Sequence, residues 1–319
     1  MGTIAALAGG VGAARFLRGL VRAVPATDVV VVGNTGDDDV FHGLHVSPDL
    51  DTVTYTLAGA VGAMGWGLAG DTFRTLEAYE RYGEATWFRL GDADLATHLY
   101  RTSRLREGAT LTEVTAEITL AWGLKARLLP MSDDRVATVI DVAGAPNSGS
   151  GGGEPVPMAM QEWFVRERAR PPVAGVRFEG AAEARPGPAV LDALREADAI
   201  ILCPSNPVIS IGPILALPGV RDALRARREQ VVAISPIIRG ATVKGPADRL
   251  MAAAGIEVSC AGVASIYADL CGTLLVDDSD ADRVADVERH GVRAAVAPIL
   301  MRDADDAEAL ARRALDLVS

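Results

Sequence analysis

Residues 3–32 open the chain with a strand, a glycine turn, a helix and a second strand, and that order restricts the fold more than any other feature. Thr3 to Ala8 is a short apolar run, followed by Gly9-Gly10-Val11-Gly12. From Ala13 onward, Phe16, Leu17, Leu20, Val21 and Val24 recur at helical spacing until Pro25 ends the run. Val29 to Val32 follows as a second apolar strand. Two strands joined by one helix within about 30 residues make a βαβ unit, and such a unit requires a parallel sheet.

A similar alternation returns late in the chain. Ala199 to Cys203, Val231 to Ile234, Ile256 to Ser259, Thr273 to Val276 and Ala294 to Ala297 are strand candidates, and Asp303 to Val318 reads as a closing amphipathic helix. Both ends therefore build one α/β, Rossmann-like doubly wound and mainly parallel sheet, in a single domain spanning 1–319. The middle is inserted into it. Residues 66–127 read as a helical subdomain, with helices over Thr72 to Tyr82, Asp94 to Arg106 and Leu111 to Trp122. Val136 to Asp141 and Trp163 to Arg168 are strand-like and bracket a Gly- and Ser-rich stretch at 146–154, which reads as a flexible hairpin loop.

Charge narrows the partners. With 42 acidic against 31 basic side chains, the net charge is -11, which argues against an electrostatic hold on nucleic acid or an anionic membrane. A phosphate ligand would have to be met by backbone amides, a few arginines or a metal. Cys203, Cys260 and Cys271 form no CxxC pair and are an odd number, as expected of reduced structural thiols. No apolar run reaches membrane-spanning length, and a strand begins directly after Met1 without a leader-like segment, so the expected location is cytoplasmic.

The glycine turn is the first candidate site, because amides at a helix N-terminus attract phosphate and missing side chains allow close approach. A dinucleotide fingerprint would carry a third glycine where Gly10-Val11-Gly12-Ala13-Ala14-Arg15 has Arg15, which speaks against NAD, and no Walker-type GxxxxGK[ST] string occurs. Two acidic strings follow the second strand: Asn34-Thr35-Gly36-Asp37-Asp38-Asp39 and Ser47-Pro48-Asp49-Leu50-Asp51-Thr52. Carboxylates beside a phosphate repel it unless a divalent cation stands between them, and an oxygen-rich set favours Mg2+ over zinc. His42 and His45, between the strings, read as supporting residues. Arg89, at the end of Trp87-Phe88-Arg89, is a candidate clamp for an anionic or carbonyl group. Pro204-Ser205-Asn206-Pro207 and Ser235-Pro236 each follow a strand, where polar groups meet ligands. No GxSxG elbow or Ser/His/Asp arrangement is present, which disfavours an acyl-enzyme route.

Taken together, these strings resemble the 2-phospho-L-lactate transferase family, which assembles the deazaflavin coenzyme F420. The resemblance is carried by Gly9-Gly10-Val11-Gly12, Asn34-Thr35-Gly36-Asp37-Asp38, Ser47-Pro48-Asp49-Leu50-Asp51-Thr52-Val53 and Leu90-Gly91-Asp92-Ala93-Asp94-Leu95-Ala96-Thr97-His98. Further on it includes Leu129-Pro130-Met131-Ser132-Asp133-Asp134, the stretch Pro204 to Pro213, and Ser235-Pro236-Ile237-Ile238.

What the resemblance implies is a Mg2+-dependent transfer onto Fo, the 7,8-didemethyl-8-hydroxy-5-deazariboflavin chromophore. The donor would be lactyl-2-diphospho-5'-guanosine (LPPG) or its enolpyruvyl counterpart (EPPG), and GMP would leave. It further implies Asp51 and Arg89 as Fo contacts, Asp37 and Asp51 as catalytic groups, and Asp37, Asp49 and Asp51 as the source of metal ligands. Gly9, Gly10, Gly12, Ser205 and Asn206 are the candidates for the donor nucleotide, and the expected assembly is a homodimer. A second reading, from distant relatives of the same fold, is a non-catalytic regulator of the gluconeogenesis-factor type that binds a nucleotide sugar.

Overall fold

A seven-stranded parallel sheet organises the structure, a computed structural model that describes residues 2–144 and 153–318. In chain order the strands are β1 (Ile4–Ala8), β2 (Val29–Gly33), β3 (Asp39–Phe41), β4 (Leu44–Val46), β5 (Arg127–Pro130), β6 (Ala137–Val142), β7 (Val156–Ala159), β8 (Val173–Glu179), β9 (Ala199–Leu202), β10 (Val231–Ile234), β11 (Ile237–Ile238), β12 (Ala241–Thr242), β13 (Thr273–Val276) and β14 (Arg293–Val296). The helices are α1 (Gly10–Ala23), α2 (Pro48–Leu57), α3 (Arg74–Tyr79), α4 (Asp94–Arg106), α5 (Leu111–Ala121), α6 (Val190–Glu196), α7 (Gly212–Ala216), α8 (Val220–Ala226), α9 (Ala247–Ala253), α10 (Cys260–Tyr267), α11 (Val284–Glu288) and α12 (Ala304–Asp316).

The main sheet runs β14-β13-β10-β9-β1-β2-β5, every neighbouring pair parallel. Its inner strands are apolar without alternation because helices cover both faces. Ala5, Leu7, Val30, Val32, Ile200 and Leu202 pack with residues of α6, α8 and α10 on one face. Ile4, Ala6, Val29, Val31 and Ile201 pack with α1 and α12 on the other. Gly19 lets those two helices touch: a Cβ there would stand 2.2 Å from the Ala307 carbonyl.

Strand order fixes where a ligand can enter. From β1 the chain steps outward to β2 and β5, then returns to β9 on the opposite side of β1 before continuing to β10, β13 and β14. The direction of winding therefore reverses between β1 and β9, and a crevice opens at their carboxyl ends. Gly9 to Gly12 leave β1 there, and Pro204 to Asn206 leave β9 there.

Several elements depart from the sequence expectation. Ile256 to Ser259 is not a strand: after Gly255, with φ of +69°, this segment leads into α10, whose N-cap is Ser259 accepting from the Gly262 amide. Trp163 to Arg168 coils as a π-helical turn over Glu162–Arg166, with the buried Trp163 indole N–H donating to the Pro171 carbonyl. The strands that pair with β6 are instead β7 and β8, giving a three-stranded antiparallel sheet beside the main one. β5 is an added edge strand. The helical signals of 66–127 appear as α3, α4 and α5, with Thr110 and Glu113 forming a reciprocal capping box that starts α5. The hairpin-loop reading at 146–154 falls largely on residues 145–152, outside the described residues. Cys203, Cys260 and Cys271 are buried and unbridged. Among the described residues no helix is long and apolar enough to cross a membrane.

Candidate active site

Asn34, directly after β2, is the hub of the site. Its side-chain N–H groups donate to Asp49 Oδ2 at 2.9 Å, to Asp37 Oδ2 at 3.2 Å and to the Ile209 carbonyl at 3.3 Å, while its Oδ1 accepts from the Gly36 amide. One amide thus bridges the two acidic strings. Asp49 sits in the first turn of α2 and also accepts the Gly10 amide at 2.8 Å, so the N-terminus of α1 is complemented by a carboxylate of the protein. The Gly10 N–H, expected to face a nucleotide phosphate, is occupied in this way. Gly9 has no room for a side chain either: a Cβ would fall 2.8 Å from both Asp49 and Ser210.

Burial decides the electrostatics. Asp37 and Asp49 are buried, and the side chain of Asp38 is only 8% exposed. Burial, then the charges of Asp49 and Asp38, push the Asp37 carboxyl well above its ordinary range, against the pull of Thr138 and Asn34. Asp49 is raised to about 6, mainly by burial, with the Asn34 and Gly10 bonds opposing. Burial also raises Asp38, which accepts from the Ser47 hydroxyl at 2.5 Å and lies 3.3 Å from His45 Nε2.

The oxygen atoms at this site fit a hard cation. Asp37 Oδ1 and Asp38 Oδ1 are buried acceptors with no hydrogen-bond donor among the described residues, and an acceptor in that position is completed by a cation or a proton. No three His, Cys, Asp or Glu side chains among the described residues form a ready-made cage. The arrangement is two carboxylates tied by Asn34 with a third beside them, which suits an ion that also takes substrate oxygens.

Asp51, the third carboxylate expected from the sequence, shares no hydrogen bond with Asp37, Asp49 or Asn34 among the described residues and is bound by Arg101 instead. Positions 49 and 51 of α2 point about 200° apart around the helix axis, so Asp49 turns to the glycine turn and Asp51 turns to α4. There Arg101 binds both Asp51 oxygens, one at 3.1 Å and the other closer, and His98 Nδ1 lies 3.7 Å away. Around this pair Tyr55 donates to Asp94 at 2.6 Å and contacts Thr97 at 2.8 Å. With both oxygens engaged by a guanidinium, Asp51 is poorly placed to ligate the same cation as Asp37.

Arg89 is exposed, its guanidinium 4.0 Å above the Phe73 ring, and no hydrogen bond or ion pair among the described residues joins it to Asp51. Ser205 is buried with its hydroxyl unpartnered among the described residues, as is the side-chain nitrogen of Asn206, whose Oδ1 closes the turn onto Val208 and Ile209. Both lie beside the glycine turn, since a Cβ on Gly12 would meet the Pro204 carbonyl at 2.3 Å. Ser235 is spent on its own turn, bonding the backbone of Ile237. A cleft of about 340 Å³ lies between Asp37–Asp39 and the β6–β7–β8 sheet, with Arg135 and Arg177 on its wall.

Sequence reasoning assigned no role to Asn34 or Arg101. Asn34 lies in the same string as Asp37, and its position at a strand end was the available signal. Arg101 belongs to the stripe Asp94, Thr97, His98, Arg101, whose helical spacing also describes a solvated face.

A doubly wound parallel sheet with an acidic, oxygen-lined centre at its switch point defines a Rossmann-like α/β protein. Comparison narrows the class. The family model described as 2-phospho-L-lactate transferase CofD matches residues 4–313, and the chain belongs to that family. A phosphoenolpyruvate transferase of Streptomyces griseus is 46% identical over 317 residues, covering 98% of each chain. A 2-phospho-L-lactate transferase of Methanosarcina mazei is 41% identical over 305 residues, covering 95% of this chain and 96% of its own. A solved structure from Bacillus halodurans, of the UPF0052 family, shares the fold with a TM-score of 0.64 at 16% identity, covering 98% of this chain and 99% of that one.

Proposed function

We propose that this chain catalyses a transfer step of coenzyme F420 biosynthesis: the phosphoenolpyruvyl or phospholactyl group of EPPG or LPPG passes to the terminal ribityl hydroxyl of Fo, and GMP is released. The hydroxyl oxygen forms a bond to the phosphorus that bears the three-carbon acid. The bridging P–O bond breaks with its electrons on GMP, and the hydroxyl proton is lost to a base or solvent. The observation that carries this reading is the buried Asp37–Asn34–Asp49 bridge at the sheet's carboxyl edge, with Asp37 Oδ1 and the neighbouring Asp38 Oδ1 lacking donors among the described residues, in a chain that matches the family nearly end to end.

Phosphoryl transfer depends on alignment and on neutralising oxygen charge more than on a covalent nucleophile, and the site provides the first through rigid bonds. Asp37 and Asp49 are the residues that would hold Mg2+, with Asp38 beside them. When bound, Mg2+ supplies charge neutralisation on the diphosphate and acidifies the attacking alcohol. Asn34 fixes the separation of the two carboxylates. Asp51 is held on both oxygens by Arg101, and its assigned task is to orient the Fo hydroxyl. Arg89 adds an Fo contact from the rim, and Ser205 and Asn206, beside the glycine turn, offer their unpartnered donors to the nucleotide. We place the reaction in the cytoplasm, in a homodimer.

Mass spectrometry of the product formed from Fo with EPPG and with LPPG, in separate incubations with Mg2+, tests the reading. A mass gain on Fo equal to the transferred group, with GMP in equal amount, is expected from one donor or both. Fo recovered unchanged from both incubations would refute it.

A further inference from the structure

The oxygen-lined pocket offers acceptors, whereas a phosphate needs donors. Donors that no carboxylate neutralises collect on the other flank of the glycine turn. Arg15 lies one helical turn after Val11 on the same face of α1. The backbone of Gly65 rests on that face, because a Cβ there would be 2.5 Å from Val11 Cγ1. Its neighbour Met64 accepts through its carbonyl a 2.7 Å hydrogen bond from Lys244 Nζ. Lys244, just beyond β12, is thereby brought over the start of α1 toward Arg15. Partial burial and the nearby Arg15 charge hold its ammonium below the ordinary lysine value.

The two cations are not neutralised within the fold. Arg15 is half-buried and makes no hydrogen bond or ion pair among the described residues, and Lys244 is bonded only to a carbonyl there. Arg22, two turns further along α1, shows the usual arrangement, paired with Asp305 and Glu308. Arg15 and the exposed Lys244 are like charges brought together, and an anion seated between them would relieve their repulsion. A second observation points the same way. Ser205, only 4% exposed, and the Asn206 side-chain nitrogen are buried donors without an acceptor among the described residues, in the loop seated against Gly12.

We propose that Arg15 and Lys244 form an anion-binding pair beside the glycine turn that takes a phosphate of a nucleoside diphosphate group, Lys244 exchanging the Met64 carbonyl for a phosphate oxygen. Ser205 and Asn206 supply further donors. The pair accounts for an arginine where a dinucleotide fold would keep a glycine: a cation at that position serves a diphosphate but crowds a dinucleotide. The identity of the ligand rests on the proposed transferase reading, whereas the anion pair itself does not.

Calorimetric titration of GDP, and separately of inorganic pyrophosphate, into the full chain tests this, using wild type, Arg15→Gln and Lys244→Gln at low and moderate salt. Each substitution is expected to weaken GDP binding about tenfold or more, as loss of a charge-assisted bond does, and to flatten its salt dependence while Fo binding and melting temperature hold. GDP affinity unchanged in both variants would overturn the pair and leave the transferase reading standing. Pyrophosphate binding that depends on both residues, without any GDP binding, would support the pair and remove the nucleotide. A wild-type chain that binds neither ligand would overturn both.

Discussion

Asp51 and Arg101 face each other across α2 and α4 in a two-pronged ion pair, each side chain almost wholly out of solvent. Burial works against the Arg101 charge, but Asp51 outweighs it and holds the guanidinium above its ordinary pKa. Breaking such a pair strands one charge, at a cost of about 3–5 kcal/mol. Asp51→Asn and Arg101→Gln are each expected to lower the unfolding free energy read from chemical denaturation by that order, moving the midpoint down accordingly. The pair Asp51→Leu with Arg101→Met should recover much of the loss in stability but not the activity. Equal midpoints for wild type and Asp51→Asn would mean the ion pair contributes nothing.

Asp37 behaves in the opposite sense. Its folded-state pKa is raised, so its charge costs stability above that pKa, and the cost disappears as the carboxyl protonates at lower pH. Without metal, Asp37→Asn should melt at or above the wild-type temperature at pH 8, with the difference shrinking as pH falls toward the ordinary carboxylate range. Turnover should drop on the order of 10²-fold or more. A variant that unfolds, or that keeps full turnover, contradicts the assignment.

Burial pushes the Asp49 carboxyl up to about 6 in the folded chain. Protons and a divalent cation compete for the oxygens of Asp37 and Asp49, both raised by burial, so Mg2+ affinity should weaken as pH falls and should have dropped clearly once pH is below about 6. Measuring the Mg2+ concentration for half-maximal turnover at a series of pH values checks this. An affinity that does not weaken on acidification past 6 would take Asp49 out of the metal site.

Arg89 lies over Phe73 at the surface and supports no core contact. Arg89→Ala should leave the melting temperature alone and raise the Fo dissociation constant, read by deazaflavin fluorescence, by about tenfold. An unchanged titration curve would remove Arg89 from the acceptor site.

The parallel sheet was readable because its inner strands are apolar on both faces and sit at the ends of recognisable helices, as with Ile4–Ala8 before α1 and Val231–Ile234. Ile256 to Ser259 misled for a physical reason: a short apolar run describes a strand or a buried helix approach equally well, and the Gly255 turn with the Ser259 cap decided it. In the site, the acidic strings and the glycine turn could be picked out by residue type and by their position after strands. The division of labour between Asp49 and Asp51 could not, because it depends on which way α2 is rotated, and that is set by its packing on α1. Arg101 was hidden because a buried polar stripe and a solvated one have the same spacing.

The central claim is that buried aspartates at the switch point support divalent-dependent transfer from a guanylyl diphosphate donor to Fo. Phosphorus NMR of Fo, donor and the full chain, recorded with Mg2+ and again with EDTA, tests it most directly. The diphosphate signals are expected to give way to one phosphodiester and GMP only when Mg2+ is present. Transfer at an undiminished rate in EDTA, or GMP released from the donor without a phosphodiester on Fo, would contradict it.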